Sequence, residues 1–206
     1  VQIKSDYVKC FLPESPKDIL LYLSSGILNG IGPATALLIV NKFGEDTFDI
    51  IENHPEELAK IRGIGAKKAA DISASFNDKM SLRRIADFLN EYGVSTVTAV
   101  RLYNAYGKNA LKKLEENPYI ICSDCVGDDF FIADGLARSL DVTGNSYFRI
   151  SAAVLYELRH NLNNGHSFIP LNKLANATSI LLQRADPDSR ISINPDEIAD
   201  VIFHME

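Results

Sequence analysis

The pattern with the clearest chemical use in this sequence is a Gly-x-Gly set directly before a helix. It occurs as Gly30-Ile31-Gly32 and again as Gly63-Ile64-Gly65. Glycine reaches the left-handed backbone region without steric cost and leaves no side chain between the main chain and a ligand. A helix that starts right after such a turn offers N–H groups with no intrahelical partner, at the positive end of its dipole. Together these make a receptor for a phosphate oxygen in which the backbone itself is the donor. The isoleucine between the glycines is expected to point inward and pin the hairpin. Ala36 and Ala69 are small, as two closely approaching helices require. Contacts of this kind hold phosphates and sugars and read no base edge, so the binding they predict is independent of DNA sequence.

Two further turns share the frame, Gly93-Val94-Ser95 and Gly127-Asp128-Asp129. The four are unequal. Gly63, Ile64 and Gly65, with Arg62, Lys67 and Lys68 beside them, form the best phosphate site. Gly30, Ile31 and Gly32 are well formed but are expected to lack nearby lysines. Gly93 and Ser95 stand between binding and scaffold. The fourth turn places two carboxylates where a phosphate would sit, which points to a structural role. Net charge is −6, with a pI near 5.3, so a broad basic surface is excluded and any DNA site must be local. Between residues 60 and 84 lie Lys60, Arg62, Lys67, Lys68, Lys79, Arg83 and Arg84, against Asp71 and Asp78 only. The acids gather instead near the C-terminus, at Asp186, Asp188, Asp196, Glu197, Asp200 and Glu206.

The elements that must position these turns are helical. Ser15-Pro16 reads as a cap and first-turn proline before Asp18–Ser25. Apolar spacings of three and four recur through Ala36, Ile39, Val40 and Phe43, through Leu82, Ile85, Ala86 and Leu89, and through Ile150, Val154, Leu155 and Leu158. Val1–Leu12 reads as extended, and Ser167-Phe168-Ile169 as a short strand. The chain also repeats itself. Residues 29–55 and 92–118 align at a shift of 63, placing Gly30 on Gly93, Ala36 on Ala99, Ile39 on Leu102, Phe43-Gly44 on Tyr106-Gly107 and Pro55 on Pro118. Such self-similarity marks a duplicated supersecondary unit. Inside the first copy, the run from Gly30 to Ile39 matches Gly63 to Ile72 at a shift of 33. The fold expected is all-α: tandem duplicated helix-hairpin-helix units, then a small helical subdomain. That last part has the helix, strand, helix, helix order of the front of a winged-helix unit, without the wing.

Other chemistries find little support. Apolar residues are 46% of the 206, enough for a real core. No apolar run approaches the roughly 18–20 residues of a membrane span. The three cysteines, Cys10, Cys122 and Cys125, do not make a disulfide framework and fit a reducing cytoplasm. Cys122-Ser123-Asp124-Cys125 has the spacing of half a zinc site with no second pair, so no metal site is expected. His54, His160, His166 and His204 are scattered, His54 before Pro55 as a helix cap and His166 in a turn. Asp71 and Asp87 suit exposed helix faces, not a glycosylase cleft. No catalytic residue is assigned. No G-x-x-x-x-G-K-[ST] occurs; Gly107-Lys108-Asn109 is nearest and lacks the upstream glycine and the hydroxyl. The chain is therefore expected to hold no cofactor and to turn over no ATP.

The ordered motifs carry a resemblance. Leu12-Pro13, Tyr22-Leu23-Ser24-Ser25-Gly26, Gly30 to Ala36, Phe43-Gly44-Glu45-Asp46-Thr47, Glu52-Asn53 and Gly63-Ile64-Gly65 are followed by Glu116-Asn117-Pro118-Tyr119. Phe148-Arg149-Ile150 and Gly165-His166-Ser167-Phe168-Ile169-Pro170 complete the set. From about residue 11 to 182 the chain resembles the N-terminal region of the long RecD-like ATP-dependent DNA helicases of bacteria, which work without RecB and RecC partners and are often called exodeoxyribonuclease V alpha subunits. The resemblance implies a DNA-handling region ahead of a superfamily-1 motor that moves 5′ to 3′ on single-stranded DNA. ATP and magnesium would belong to that motor, outside these residues. Implied partners are DNA, as a single strand or forked duplex, and the motor in cis, in the cytoplasm, with no membrane. Residues 1–12 would be the remnant of a preceding OB-like domain. Residues 13–78 would be the first hairpin pair, 79–142 the second and degenerate pair, and 143–206 the helical, winged-helix-like part. The family's usual fourth turn is of Gly-Ile-Gly-x-Lys-Lys type, and Gly127 to Ile132 departs from it. The rival reading is a protein-interaction and positioning module whose hairpins are structural.

Overall fold

The computed structural model describes residues 11–142, 146–185 and 193–205. It is all-α, and no strand is found among the described residues. The chain forms two compact units, residues 1–87 and 88–206.

In the first unit α1 (Pro16–Ser24) begins where its residues demand. Ser15 Oγ accepts from the Asp18 amide at 3.2 Å, and Pro16 fills the first turn, where no amide donor is needed. α2 (Pro33–Phe43) turns Ala36, Ile39 and Val40 inward. A single 3₁₀ turn, Gly44–Asp46, leads into α3 (Thr47–Asn53), fastened by the buried Thr47 hydroxyl, which donates to the Gly44 carbonyl at 2.7 Å. Pro55 opens the one-turn α4 (Pro55–Leu58), and α5 (Ala66–Glu91) closes the unit. The core collects Ile19, Leu23, Leu28, Ile31, Ile39, Ile51, Leu58, Ile64, Ile72 and Phe76. Phe48 stacks on Phe76 with centroids 5.5 Å apart. Each such side chain contributes about 1.5–3 kcal/mol through burial. α5 is tied back to α3 by Asn77 Nδ2, donating to the Glu52 carbonyl at 3.3 Å, and by the Arg84–Glu52 pair at 2.6 Å.

The second unit repeats this construction at the predicted shift of 63. α6 (Thr96–Tyr106) and α7 (Ala110–Glu116) match α2 and α3 end for end, with a 3₁₀ turn, Gly107–Asn109, between them. A 3₁₀ segment, Pro118–Cys122, precedes α8 (Phe130–Ser139), α9 (Tyr147–Asn163), α10 (Leu171–Ala185) and α11 (Pro195–Phe203). Its centre is polar. Asp134, 1% exposed, accepts from Arg149 Nε at 2.7 Å, Arg149 Nη2 at 3.2 Å and the Tyr119 hydroxyl at 2.8 Å. Arg149 also donates to the Leu182 carbonyl at 3.3 Å, so one guanidinium joins α8, α9 and α10. Burial, followed by the hydrogen bond to Asp134, pushes the Tyr119 hydroxyl far above the usual phenol range.

Two expectations fail. Ser167-Phe168-Ile169 forms no strand: Phe168 is 81% exposed, and the segment has no ladder partner among the described residues. The winged-helix likeness loses its support with it. Of the extended stretch Val1–Leu12, only Phe11 and Leu12 are described, and neither is in a strand.

Candidate nucleic-acid interface

The first two hairpins have the geometry that their residues predict. Gly30 has φ +84° and Gly63 has φ +91°. Ile31 and Ile64 are 4% and 3% exposed, while the glycines around them are open to solvent. The Ile31 amide donates to Leu28 O at 3.4 Å and the Ile64 amide to Ile61 O at 3.0 Å, which closes each turn beneath its isoleucine. Each following helix then starts from a glycine. Gly32 O accepts from the Ala36 amide and Gly65 O from the Ala69 amide, both at 2.9 Å. Gly32 makes no side-chain cap, and Gly65 has no side chain to make one. First-turn amides therefore remain available to an outside acceptor. Pro33 removes one of these donors at the first hairpin; Ala66 keeps it at the second.

Tertiary packing rearranges the charges around them. Lys67 and Lys68 occupy the first turn of α5, and among the described residues neither is in an ion pair. Lys68 leans over the other hairpin: a Cβ added to Gly30 would lie 4.0 Å from Lys68 Cε and 3.6 Å from Ile72 Cγ1. The expectation that the first hairpin lacks a lysine is thus corrected, because the second hairpin's helix supplies one. The basic neighbourhood is also narrower than its sequence suggests. Lys60 pairs with Glu57 at 2.5 Å, Arg83 with Asp87 at 3.6 Å and Arg84 with Glu52 at 2.6 Å. Arg62 and Lys67 are exposed and Lys68 is half-buried. A Gly30→Ala substitution meets only ordinary contacts, so its cost comes from the positive φ. An upward-strained hairpin of about 1–2 kcal/mol is expected, read as a lower urea midpoint; an unchanged midpoint would show that the turn relaxes.

The third and fourth hairpins keep the frame and lose the opening. Gly93 and Gly127 both have φ +72°, and Val94 is buried like the isoleucines. But Ser95 Oγ accepts from the Val97 amide at 3.1 Å, and Asp129 Oδ1 accepts from the Phe131 amide at 2.8 Å. Ser95, expected as a DNA contact with Gly93, is committed to its own helix. Asp128 accepts from the buried Thr98 hydroxyl, and Arg101 Nη1 donates to Val126 O at 2.9 Å, fastening the two hairpins together. A cleft of about 360 Å³ beside the fourth hairpin is lined by Asp128, Asp129, Tyr156, Arg159 and His160. The Arg159 guanidinium there is engaged by Cys122 O, at 2.6 Å, and by Asp124.

The remaining candidates separate cleanly. His54 holds the capping position of α4, as expected, without a side-chain cap; its Nδ1 lies 3.3 Å from Glu56 Oε1. Asp71 is exposed, whereas Asp87 is half-buried against Arg83. Cys122 is buried and Cys125 exposed. Burial, with Asp129 nearby, pushes the Cys122 thiol up to about 12. Iodoacetamide at pH 8 is accordingly expected to label Cys125 well before Cys122, as peptide mass mapping would show; equal labelling would contradict this burial. Sequence reasoning missed Asp134. Its signal was a lone carboxylate in the otherwise apolar run Phe130 to Ala137, where an acid is stable only if paired.

The comparisons agree with this geometry. The family model described as the ATP-dependent RecD2 DNA helicase HHH domain matches residues 78–168, and that of the SAM-like helix-hairpin-helix tandem matches residues 16–78. The ATP-dependent RecD2 DNA helicase of Deinococcus radiodurans is 26% identical over 160 residues, covering 77% of this chain. Across residues 16–168 the chain is thus similar to helix-hairpin-helix domains, those of RecD-like helicases among them. The helix-hairpin-helix region is a small part of such a protein: the match takes in 22% of the Deinococcus helicase. No solved structure matches it. The two family matches meet at residue 78, within α5, so the long helix belongs to both hairpin pairs. No helix of the described residues is long and apolar enough to cross a membrane, and no group of three metal-ligating side chains is found among them.

Proposed function

We propose that the first unit is the sequence-nonspecific DNA-binding part of a RecD-like 5′ to 3′ helicase, holding phosphates through the amides of its hairpins. One observation carries this reading. Two glycine-capped helix starts, at Gly32 and Gly65, share a neighbourhood with Lys68, which stands in the first turn after Gly65 and brings its Cε near Gly30 of the other hairpin. Open first-turn amides with a lysine at hand suit a phosphodiester and offer nothing to a base edge. A charge-assisted hydrogen bond contributes about 1.5–3 kcal/mol. A few of them give nonspecific affinities on the order of 10⁻⁴–10⁻⁶ M at physiological salt.

The motor, with its ATP and magnesium, lies in other residues of the whole protein, which acts in the cytoplasm where chromosomal DNA is found. The test is binding of a fluorescent single strand and of a forked duplex at low and physiological salt. Affinity that falls steeply with salt supports the reading. A folded protein that binds neither DNA at low salt overturns it in favour of a positioning module. That second reading draws on one observation of its own, the self-capped hairpins of the second unit.

A further inference from the structure

The two units present the same hairpin frame with opposite caps. At a shift of 63, Gly32 becomes Ser95; at a shift of 64, Gly65 becomes Asp129. The inner isoleucine becomes Val94 in the third hairpin and Asp128 in the fourth, and two elements of the frame survive throughout. The first glycine is left-handed in all four hairpins, and Ala36, Ala69, Ala99 and Ala133 are all 2% exposed or less. What changes is the occupant of the first-turn amides. In the first unit no side chain fills them; in the second, Ser95 Oγ takes the Val97 amide and the Asp129 carboxylate takes that of Phe131.

We propose that Ser95 and Asp129 are built-in substitutes for phosphate, and that Asp129 is the residue that keeps DNA off the fourth hairpin. This rests on the reading that the first unit binds phosphates, and it confines the DNA footprint to that unit. Asp129 is a carboxylate at a helix N-terminus, stabilised there by the dipole as a phosphate would be. It arrives already tethered, with no translational freedom to lose, so an incoming phosphate must displace it against like charge. Asp128, fixed by the Thr98 hydroxyl, holds a second negative charge at the same mouth. The positions of Lys67 and Lys68 are taken by Phe131 and Ile132, which are 42% and 44% exposed. The frame therefore persists as a helix-packing device after its ligand site has been closed from within.

The experiment separates the cap from the charge. Asp129→Gly/Phe131→Lys/Ile132→Lys restores a Gly-x-Gly-x-Lys-Lys pattern with open amides. Asp129→Asn/Phe131→Lys/Ile132→Lys has the same net charge but keeps a side chain that caps as well as Asp. Both are made in the chain carrying Lys67→Glu/Lys68→Glu, so that the fourth hairpin is read by itself. The glycine variant is expected to bind a fluorescent single strand about tenfold more tightly at low salt than its asparagine counterpart. Its salt dependence should also be steeper by about 0.7 in log–log slope for each phosphate gained. Equal affinities and slopes, with circular dichroism showing both variants folded, overturn the proposal. Glycine in place of a capping Asp costs only a few tenths of a kcal/mol in stability, and Asp129→Ala opens the same amides if a second variant is needed. A tight glycine variant supports the inference even where the unaltered first unit proves not to bind, which would instead sink the reading of that unit.

Discussion

Lys67→Glu/Lys68→Glu is expected to weaken DNA binding by roughly 100-fold at low salt, the product of two charge-assisted contacts at the lower end of their range. The loss should be uniform across DNA sequences, because the contacts it removes read no base. The log–log salt slope should fall by about one for each lysine lost. Lys68→Glu by itself is expected to do more harm than Lys67→Glu. Lys68 stands on the helix that follows Gly65 and its Cε lies near Gly30, so its replacement is expected to affect both hairpins. Lys67 is exposed and stands beside one hairpin. Both substitutions fall on the surface of the first turn of α5, and circular dichroism should be unchanged. Affinity unmoved by the double variant rules out the hairpins as the DNA site. Arg84→Glu is a useful contrast: its guanidinium already faces Glu52 at 2.6 Å, so a small effect on DNA is expected.

Asp134→Ala is expected to destabilise the second unit by about 3–5 kcal/mol, the usual result of removing one partner from a buried ion pair. The carboxylate is 1% exposed and the side chain of Arg149 8% exposed, so water does not replace what is lost. Arg149 keeps the Leu182 carbonyl, but its Nε loses the acceptor at 2.7 Å and the Tyr119 hydroxyl loses its own. A domain's whole stability is of the order of 5–15 kcal/mol, so the urea midpoint, followed by circular dichroism, should drop markedly. The double variant Asp134→Leu/Arg149→Met should lose less than the two single changes added together, since it removes both charges at once. A midpoint unmoved by Asp134→Ala would mean that the network contributes nothing net. Arg138, on the same helix with its Nε 3.9 Å from the Asp134 carboxylate and half exposed, is expected to matter little.

Much of the fold was legible in the residues because its causes are local. Ser15-Pro16, the stops at Phe43-Gly44 and Tyr106-Gly107, and the restarts at Pro55 and Pro118 act within a turn or two of the chain. The repeat at a shift of 63 therefore returned the same helices, end for end. The self-capping of the third and fourth hairpins was equally local. Ser95 and Asp129 are strong capping residues one position before a helix, and the rule that places Ser15 on α1 already implies their bonds. The Phe168 strand failed for the complementary reason. A strand is completed by a partner across a ladder, and three residues before Pro170 cannot provide one for themselves.

By itself, then, the sequence determined the hairpin frame: left-handed Gly30 and Gly63, isoleucines turned inward, small alanines beneath, and helix starts capped by glycine or by a side chain. These follow from torsion angles and from hydrogen bonds spanning four residues or fewer. Only the tertiary structure decided which charges are free to act. It set Lys68 against Gly30, 38 residues away in the chain, and spent Arg84 on Glu52 and Arg159 on Asp124. It also gathered Tyr119, Asp134 and Arg149 from three elements. Long side chains reach groups remote in sequence, and which group they reach depends on how the helices pack, a property no local window of residues contains.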